Sequence, residues 1–196
     1  MVEAEALLQL GLDACLGGGP VVLEIGFGRG EVLIDLAGSD PTRRYLGVEV
    51  SRKRVHKVAR RVVRAEVSNA RLVHATAELL LDRVLSAASI DECWINFPDP
   101  WPKKRHHKRR LIRPPVLAQL AEILRPGARL HIATDHPDYA EWMAAALDST
   151  PELENLAAPE RWSRTPPNRR KTSYEAEFLA EGRSIAYFEY RRPASR

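Results

Sequence analysis

Val21-Val22-Leu23-Glu24-Ile25-Gly26-Phe27-Gly28-Arg29-Gly30-Glu31 decides the fold. Residues 21–27 form a short apolar run ending in a glycine-rich turn, and Val32, Leu33 and Leu36 then recur at helical spacing. The stretch predicts strand, tight loop, helix. The next segment repeats the unit: a strand over 45–50, Ser51 as N-cap, then Val55, Val58, Ala59, Val62 and Val63 at i, i+3, i+4 intervals. The alternation continues with a strand over 71–75, a helix over 78–85 and a strand over 90–97 that feeds a proline-rich basic loop. Pro114 and Pro115 suit a helix start, and that helix runs through Leu117, Leu120 and Ile123 to a stop at Arg125, Pro126 and Gly127. A strand over 130–134 and a helix after Pro137 follow. Beyond Thr150 a stretch rich in proline and arginine breaks the rhythm, and 184–190 reads as a last strand. Apolar strands alternating with amphipathic helices predict a doubly wound α/β fold with a mostly parallel sheet covered on both faces. Ligands of such sheets bind at the carboxyl ends of the strands, so the chemistry is expected just after residues 27, 50, 75, 97 and 134.

The chain has 196 residues, 44% of them hydrophobic and 29% charged, which fits one domain with a core large enough to dispense with disulfides. Cys15 and Cys93 belong to no paired framework and no metal-ligand spacing, and no metal site is expected. Glu3 and Glu5 stand where a signal peptide carries positive charge, and no stretch approaches the ~18 apolar residues of a membrane span. A reducing, cytoplasmic setting is therefore expected. The net charge of +4 is modest, but its distribution is not. Residues 52–64 hold seven lysines and arginines, residues 103–113 hold seven more, neither window contains an acid, and residues 161–171 hold five. Such runs fit a polyanionic partner. For the helix beginning at Arg52, a solvated surface accounts for the pattern about as well.

Gly26, Gly28 and Gly30 sit between a predicted strand and helix, where glycine lets the backbone turn sharply and approach a ligand. The spacing is G-x-G-x-G, not the dinucleotide G-x-G-x-x-G, and a pyrophosphate would be repelled by Glu24; both disfavour a nicotinamide-dependent oxidoreductase. Glu49, at the end of the second strand, is placed to accept hydrogen bonds from the two hydroxyls of a ribose. Asn96-Phe97-Pro98-Asp99-Pro100-Trp101 leaves the strand expected next to the first. Its prolines stiffen a loop that holds Asp99 at the active edge, and Trp101 offers a stacking surface. Lys103, Lys104, Arg105, Lys108, Arg109 and Arg110 come next, and point to a phosphate backbone across the site mouth. His106 and His107 lack a third ligand at zinc spacing.

E-x-G-x-G-x-G followed by an acid after the second strand resembles the S-adenosylmethionine site of class I Rossmann-like methyltransferases. Asn96 to Leu111 (NFPDPWPKKRHHKRRL) further resembles the signature loop of the bacterial tRNA (guanine-N7)-methyltransferases. That resemblance extends to LEIGFGRG, to GVEVSRKR, to Thr134-Asp135-His136, and to Thr172-Ser173-Tyr174-Glu175 as a T-x-[YF]-E element. It implies methyl transfer from S-adenosylmethionine to N7 of a tRNA variable-loop guanosine, position 46 in tRNA numbering. It also implies that Glu24, Gly26, Gly28, Gly30, Glu49, Ala75, Thr76, Asn96 and Asp99 hold the cofactor, with Asp99 also the catalytic residue, as the active-site carboxylate. Lys103, Arg105, Asp135, Thr172, Ser173, Tyr174 and Glu175 are expected to contact the substrate. On this reading residues 1–196 form one methyltransferase domain: an N-terminal helix and lead-in over 1–19, the cofactor-binding core over 20–150, and a substrate-side loop and last strand over 151–196.

One departure stands out. Where similar sequences carry an acid near the adenine ring, this one reads His74-Ala75-Thr76-Ala77, which leaves the contact to Thr76 or the backbone. The fold is expected to begin close to residue 1, with no long basic arm in the residues before it. Two rival functions remain: methylation of an exocyclic base amine, disfavoured by the order Asp99-Pro100-Trp101-Pro102, and RNA binding by an inactive methyltransferase fold.

Overall fold

A computed structural model describes residues 4–194, so residues 1–3 and 195–196 of the expected domain lie outside the described residues. The strands in chain order are β1 (Val21–Ile25), β2 (Arg44–Glu49), β3 (Ala70–His74), β4 (Ile90–Asn96), β5 (Leu124–Thr134), β6 (Glu154–Asn155) and β7 (Ala186–Arg191). They form one sheet in the order β3-β2-β1-β4-β5-β7-β6. The pairings among β1 to β5 are parallel, and β7 runs antiparallel to β5 and β6. All five residues of β1 are buried, as a central parallel strand covered on both faces requires. This doubly wound topology places its switch point between β1 and β4, which opens a crevice at their carboxyl ends.

The helices are α1 (Ala4–Leu16), α2 (Glu31–Ser39), α3 (Arg52–Arg64), the short α4 (Ala77–Leu79), α5 (Pro114–Ile123), α6 (Pro137–Asp148) and α7 (Ser173–Ala180). Alternation along β1 divides the core. Val22 packs with Leu33 of α2 and with Val55 and Val58 of α3 on one face. Leu23 packs on the other, in the cluster that holds Leu7 of α1, Leu120 of α5 and Met143 of α6.

Several expected boundaries move for local reasons. Val50, Ala75 and Phe97 lie just beyond their strands, where the chain leaves the sheet for the site. The helix expected over 78–85 is α4 followed by a π-helical turn, Leu80–Val84, which buries the adjacent Leu80 and Leu81 together. Pro126 and Gly127 do not separate α5 from β5. The strand begins at Leu124, and the pairing jumps from Ile90↔Leu124 to Glu92↔Arg129, so that Pro126, lacking an N–H, sits in a bulge where the ladder asks nothing of it. The stretch read as a break in rhythm contains α7, whose N-cap Thr172 and N3 residue Glu175 form a reciprocal capping box.

Candidate active site

The glycine loop is closed against β2. Gly26 N–H donates to Val48 O at 2.7 Å, and Gly28 N–H donates to Glu49 Oε2 at 3.0 Å. Gly30 opens α2 at φ 70°, and a Cβ there would lie 2.4 Å from Val58 Cγ1, so α2 and α3 can approach this closely only around a glycine. Glu49 is buried at the tip of β2, with Oε1 accepting from Ser51 N–H at 2.9 Å and forming an ion pair with Arg54 at 3.7 Å. Two backbone bonds leave lone pairs of this carboxylate free for a ligand.

Glu24 is more unusual. Its Oε1 accepts from Asn96 Nδ2 at 3.3 Å, and its buried Oε2 has no partner. Burial raises its pKa to about 7, against the opposing pull of the Asn96 hydrogen bond and the Arg169 charge. Enclosed and with one oxygen left unpartnered, Glu24 is built to receive a donor or a cation.

The loop leaving β4 is held in a strained form. Phe97 and Trp101 adopt φ 53° and 44°, left-handed conformations that cost non-glycine residues about 1–2 kcal/mol each. Arg110 holds it there. This residue, expected among the phosphate contacts, is instead only 1% exposed: Nε donates to Pro100 O at 2.8 Å, Nη2 donates to Asp138 at 2.5 Å, and the guanidinium stacks between Tyr139 and Trp142. The remaining bases of the run, on a 3-10 helix over Lys104–Arg109 and just before it, stay exposed, and Arg109 lies 5.0 Å over the Trp101 ring. Asp99 is exposed and makes no ion pair among the described residues.

Two adjoining cavities open at this edge. The first, about 280 Å³, is bounded by Glu49, Ala75, Thr76, Trp101 and Arg109. The second, about 400 Å³, is bounded by Glu24, Gly28, Arg29, Asp135, Tyr174 and Arg183. Gly26, Arg54 and residues 96–99 form the wall common to both, so Asp99 stands where the cavities meet.

The structure sorts the expected substrate residues into two groups. Asp135, Thr172 and Tyr174 line the second cavity; Asp135 pairs with Arg183 at 2.8 Å, and Tyr174 lies 4.4 Å beneath the Arg29 guanidinium. Ser173 and Glu175 do not line it, although the Ser173 hydroxyl bonds Arg29 and Glu31, which do. Ser173 N–H donates to Glu31 at 2.8 Å, which ties α7 to α2. Glu175, 0% exposed, accepts from Thr172 N–H at 2.7 Å, from Tyr187 O–H at 3.0 Å and from Arg169 Nη1 at 2.6 Å. Burial alone would raise its pKa, but the Arg169 and Thr172 hydrogen bonds hold the carboxyl below its usual value. These bonds occupy Glu175 as a structural anchor in place of the substrate contact expected of it. Lys103 and Arg105 lie outside both cavities, on the exposed basic loop.

Four arginines have roles that their sequence setting does not reveal. Arg29 and Arg183 line the second cavity, Arg110 holds the loop after β4, and Arg169 joins Glu175 to the site, donating from Nη2 to Asn96 Oδ1 at 2.9 Å. A continuous chain therefore runs from Tyr187 through Glu175, Arg169 and Asn96 to Glu24. Glycine spacing signals Arg29's position, but nothing local distinguishes Arg169 from its neighbours.

Residues 18–188 match a family model described as "Putative methyltransferase". The tRNA (guanine-N(7)-)-methyltransferase of Halorhodospira halophila (strain DSM 244 / SL1) is 44% identical over 181 residues, which cover 92% of this chain and 78% of that protein. The protein of the same name from Alkalilimnicola ehrlichii (strain ATCC BAA-1101 / DSM 17681 / MLHE-1) is 41% identical, covering 93% and 77%. The chain belongs to the tRNA (guanine-N7)-methyltransferase family. Solved structures bear out the fold: the 16S rRNA methyltransferase KamB superposes with TM-score 0.61 at 18% identity, covering 89% of this chain and 88% of that one. The antibiotic-resistance methyltransferase Kmr gives 0.60 at 22%, covering 96% and 94%.

In this methyltransferase the acid missing from residues 74–77 has a neighbour that spacing did not flag. Glu78, in the first turn of α4, lines the first cavity beside Thr76, whose hydroxyl oxygen is engaged in capping α4 through Leu79 N–H at 3.1 Å. No group of three metal-ligating side chains occurs among the described residues, and none of their helices is long and apolar enough to cross a membrane.

Proposed function

We propose that this methyltransferase transfers the methyl group of S-adenosylmethionine to N7 of the variable-loop guanosine at position 46 of tRNA. The observation that carries the reading is Asp99, unpaired and exposed at the wall shared by the two cavities. The first cavity suits an adenosine, with Glu49 for the ribose hydroxyls and Ala75, Thr76 and Glu78 beside the base. The partnerless Glu24 Oε2 suits the ammonium of the methionine moiety, and Gly26 and Gly28 let the backbone lie close to it. Bound there, the cofactor supplies an electrophilic methyl on a sulfonium.

The chain's own residues then have defined roles. Guanine N7 bears an in-plane lone pair and no proton, so the reaction needs alignment and electrostatics in place of a general base. Asp99 accepts hydrogen bonds from the N1 and N2 edge of the guanine and favours the positive charge that builds on the ring. Tyr174 and Asp135 bound the space for the base, and Arg29 and Arg183 orient them through stacking and ion pairing. Lys103, Arg105 and the exposed basic loop contact phosphates at the mouth.

Incubation with methyl-labelled S-adenosylmethionine and an unmodified tRNA transcript, followed by digestion to nucleosides, tests this. The expected label is in 7-methylguanosine and vanishes when the variable-loop guanosine is replaced. Label in another nucleoside, or none, overturns the reading.

A further inference from the structure

The proposed reaction brings a tRNA to the sheet edge but gives no role to one strongly charged surface, the outer face of α3. Val55, Val58 and Val62 are buried against the sheet, while Lys53, Lys57, Arg60 and Arg64 are exposed at i, i+4, i+7 and i+11, a single stripe along the helix. No acid lies between Glu49 and Glu66.

Elsewhere many of the arginines are paired with acids, though not all: Arg44, Arg71 and Arg192 bond backbone carbonyls. Arg43, Arg110, Arg125, Arg129, Arg161 and Arg191 each face a carboxylate within 3.1 Å. Among the described residues of α3, none has a carboxylate that close: Arg54 pairs with Glu49 at the longer distance of 3.7 Å, and Arg61 donates to the Arg29 carbonyl. The stripe also works against its own helix. Lys53 with Lys57, Lys57 with Arg60, and Arg60 with Arg64 are like-charge neighbours on one face, and Arg52, Lys53 and Arg54 crowd the positive end of the helix dipole. A merely solvated face is hydrated as well by mixed charges without that repulsion. Arg61 and Arg64 suit the last turn of the helix, but a stripe that repels itself along one face and holds no acid of its own marks a site that is completed by something else.

Its position says where that partner runs. Arg54, in the first turn, lines both cavities, and Arg109 of the basic loop lines the first, so α3 and the loop flank one opening. From there the 13 residues of α3 extend about 20 Å from the site. We propose that Lys53, Lys57, Arg60 and Arg64 form a second track for the sugar-phosphate backbone of the tRNA, carrying it away from the active-site mouth opposite the basic loop. The choice of tRNA rests on the reaction proposed above.

Two double variants test it. Lys53→Gln/Arg60→Gln removes two charges only. Lys53→Glu/Arg60→Glu also creates Glu-to-basic i, i+4 pairs with Lys57 and Arg64 and places an acid in the first turn, so the free protein melts at the same temperature as the parent or higher. In both, the plot of log affinity for tRNA against log salt is expected to become shallower by about two, and affinity at low salt to fall about tenfold or more. Affinity for S-adenosylhomocysteine and kcat at saturating tRNA stay at parental values while KM rises. Unchanged tRNA affinity and salt slope in the Gln variant overturn the proposal, and are the outcome if the stripe meets an acidic protein instead. The slope is measured without methyl transfer, so its failure is distinct from failure to find 7-methylguanosine with the parent protein.

Discussion

Glu24 and Asp99 are two acids at one cavity wall with opposite environments. Glu24 is enclosed, and its folded pKa of about 7 lies above the 4.5 of the unfolded chain. The folded state therefore binds this proton more tightly, and the group's contribution to stability declines by about 3 kcal/mol as pH rises from below 4.5 through 7. Glu24→Gln removes that loss, so the ligand-free variant is expected to be more stable than the parent at pH 8 by chemical denaturation. In the parent, an ammonium ligand at Oε2 requires the ionised form, so cofactor affinity should rise between pH 5.5 and 7.5 with proton release. Calorimetry in two buffers of different ionisation heat checks this, and a flat profile would remove the ammonium from Glu24. Asp99 is exposed and makes no ion pair among the described residues. Asp99→Ala should leave S-adenosylhomocysteine affinity within a few-fold while single-turnover methyl transfer drops about 10²–10³-fold. Parental turnover would sink the assignment. Both acids were legible from strand-end position and motif, because identity and chain position suffice to name a candidate. That Glu24 keeps an orphan oxygen was not, since burial is a property of the neighbours.

At the scale of elements, two arginines far along the chain hold the site in shape. Arg110 fastens the strained loop after β4 to α6, and the buried Arg169–Glu175 pair fastens the start of α7 to Asn96 at the tip of β4. Arg169→Ala leaves the Glu175 charge buried without its cation, and is expected to cost about 3–5 kcal/mol by denaturant unfolding. Arg169→Met/Glu175→Gln should be more stable than that single variant, because the buried charge goes with its partner while an acceptor remains for Thr172 or Tyr187. A loss under about 1 kcal/mol for the single variant would show that α7 is anchored otherwise. The T-x-x-E spacing of Thr172 and Glu175 is a helix-start signature, so α7 was readable from its capping residues even though the proline-rich approach hid it. The buried state of Arg110 was not readable. In sequence it is one base among seven, and only the packing of Tyr139 and Trp142 from α6 separates it from the five exposed bases over 103–109.

For the whole molecule, ligand binding and stability are one equilibrium. S-adenosylmethionine at about a hundred times its Kd should stabilise the fold by about 2.7 kcal/mol, a rise of roughly 5–10 °C in Tm for a chain of this size. Glu49→Gln, which keeps one acceptor for Gly28 N–H, should lose most of that rise at the same concentration; a parental shift would take the ribose away from Glu49. The fold, the order of its principal strands and helices, the glycine loop, Glu49, the Asp99 loop and the family were all readable from the chain, because hydrophobic period, turn chemistry and motif spacing are local and survive without contacts. Tertiary structure decided which charges face solvent and which are consumed: Arg110, Arg169 and Glu175 inside, the α3 stripe outside, Glu78 at the cavity left without an acid over 74–77. Pairing and burial depend on residues brought together from 6 to 73 positions apart, and no local pattern encodes that.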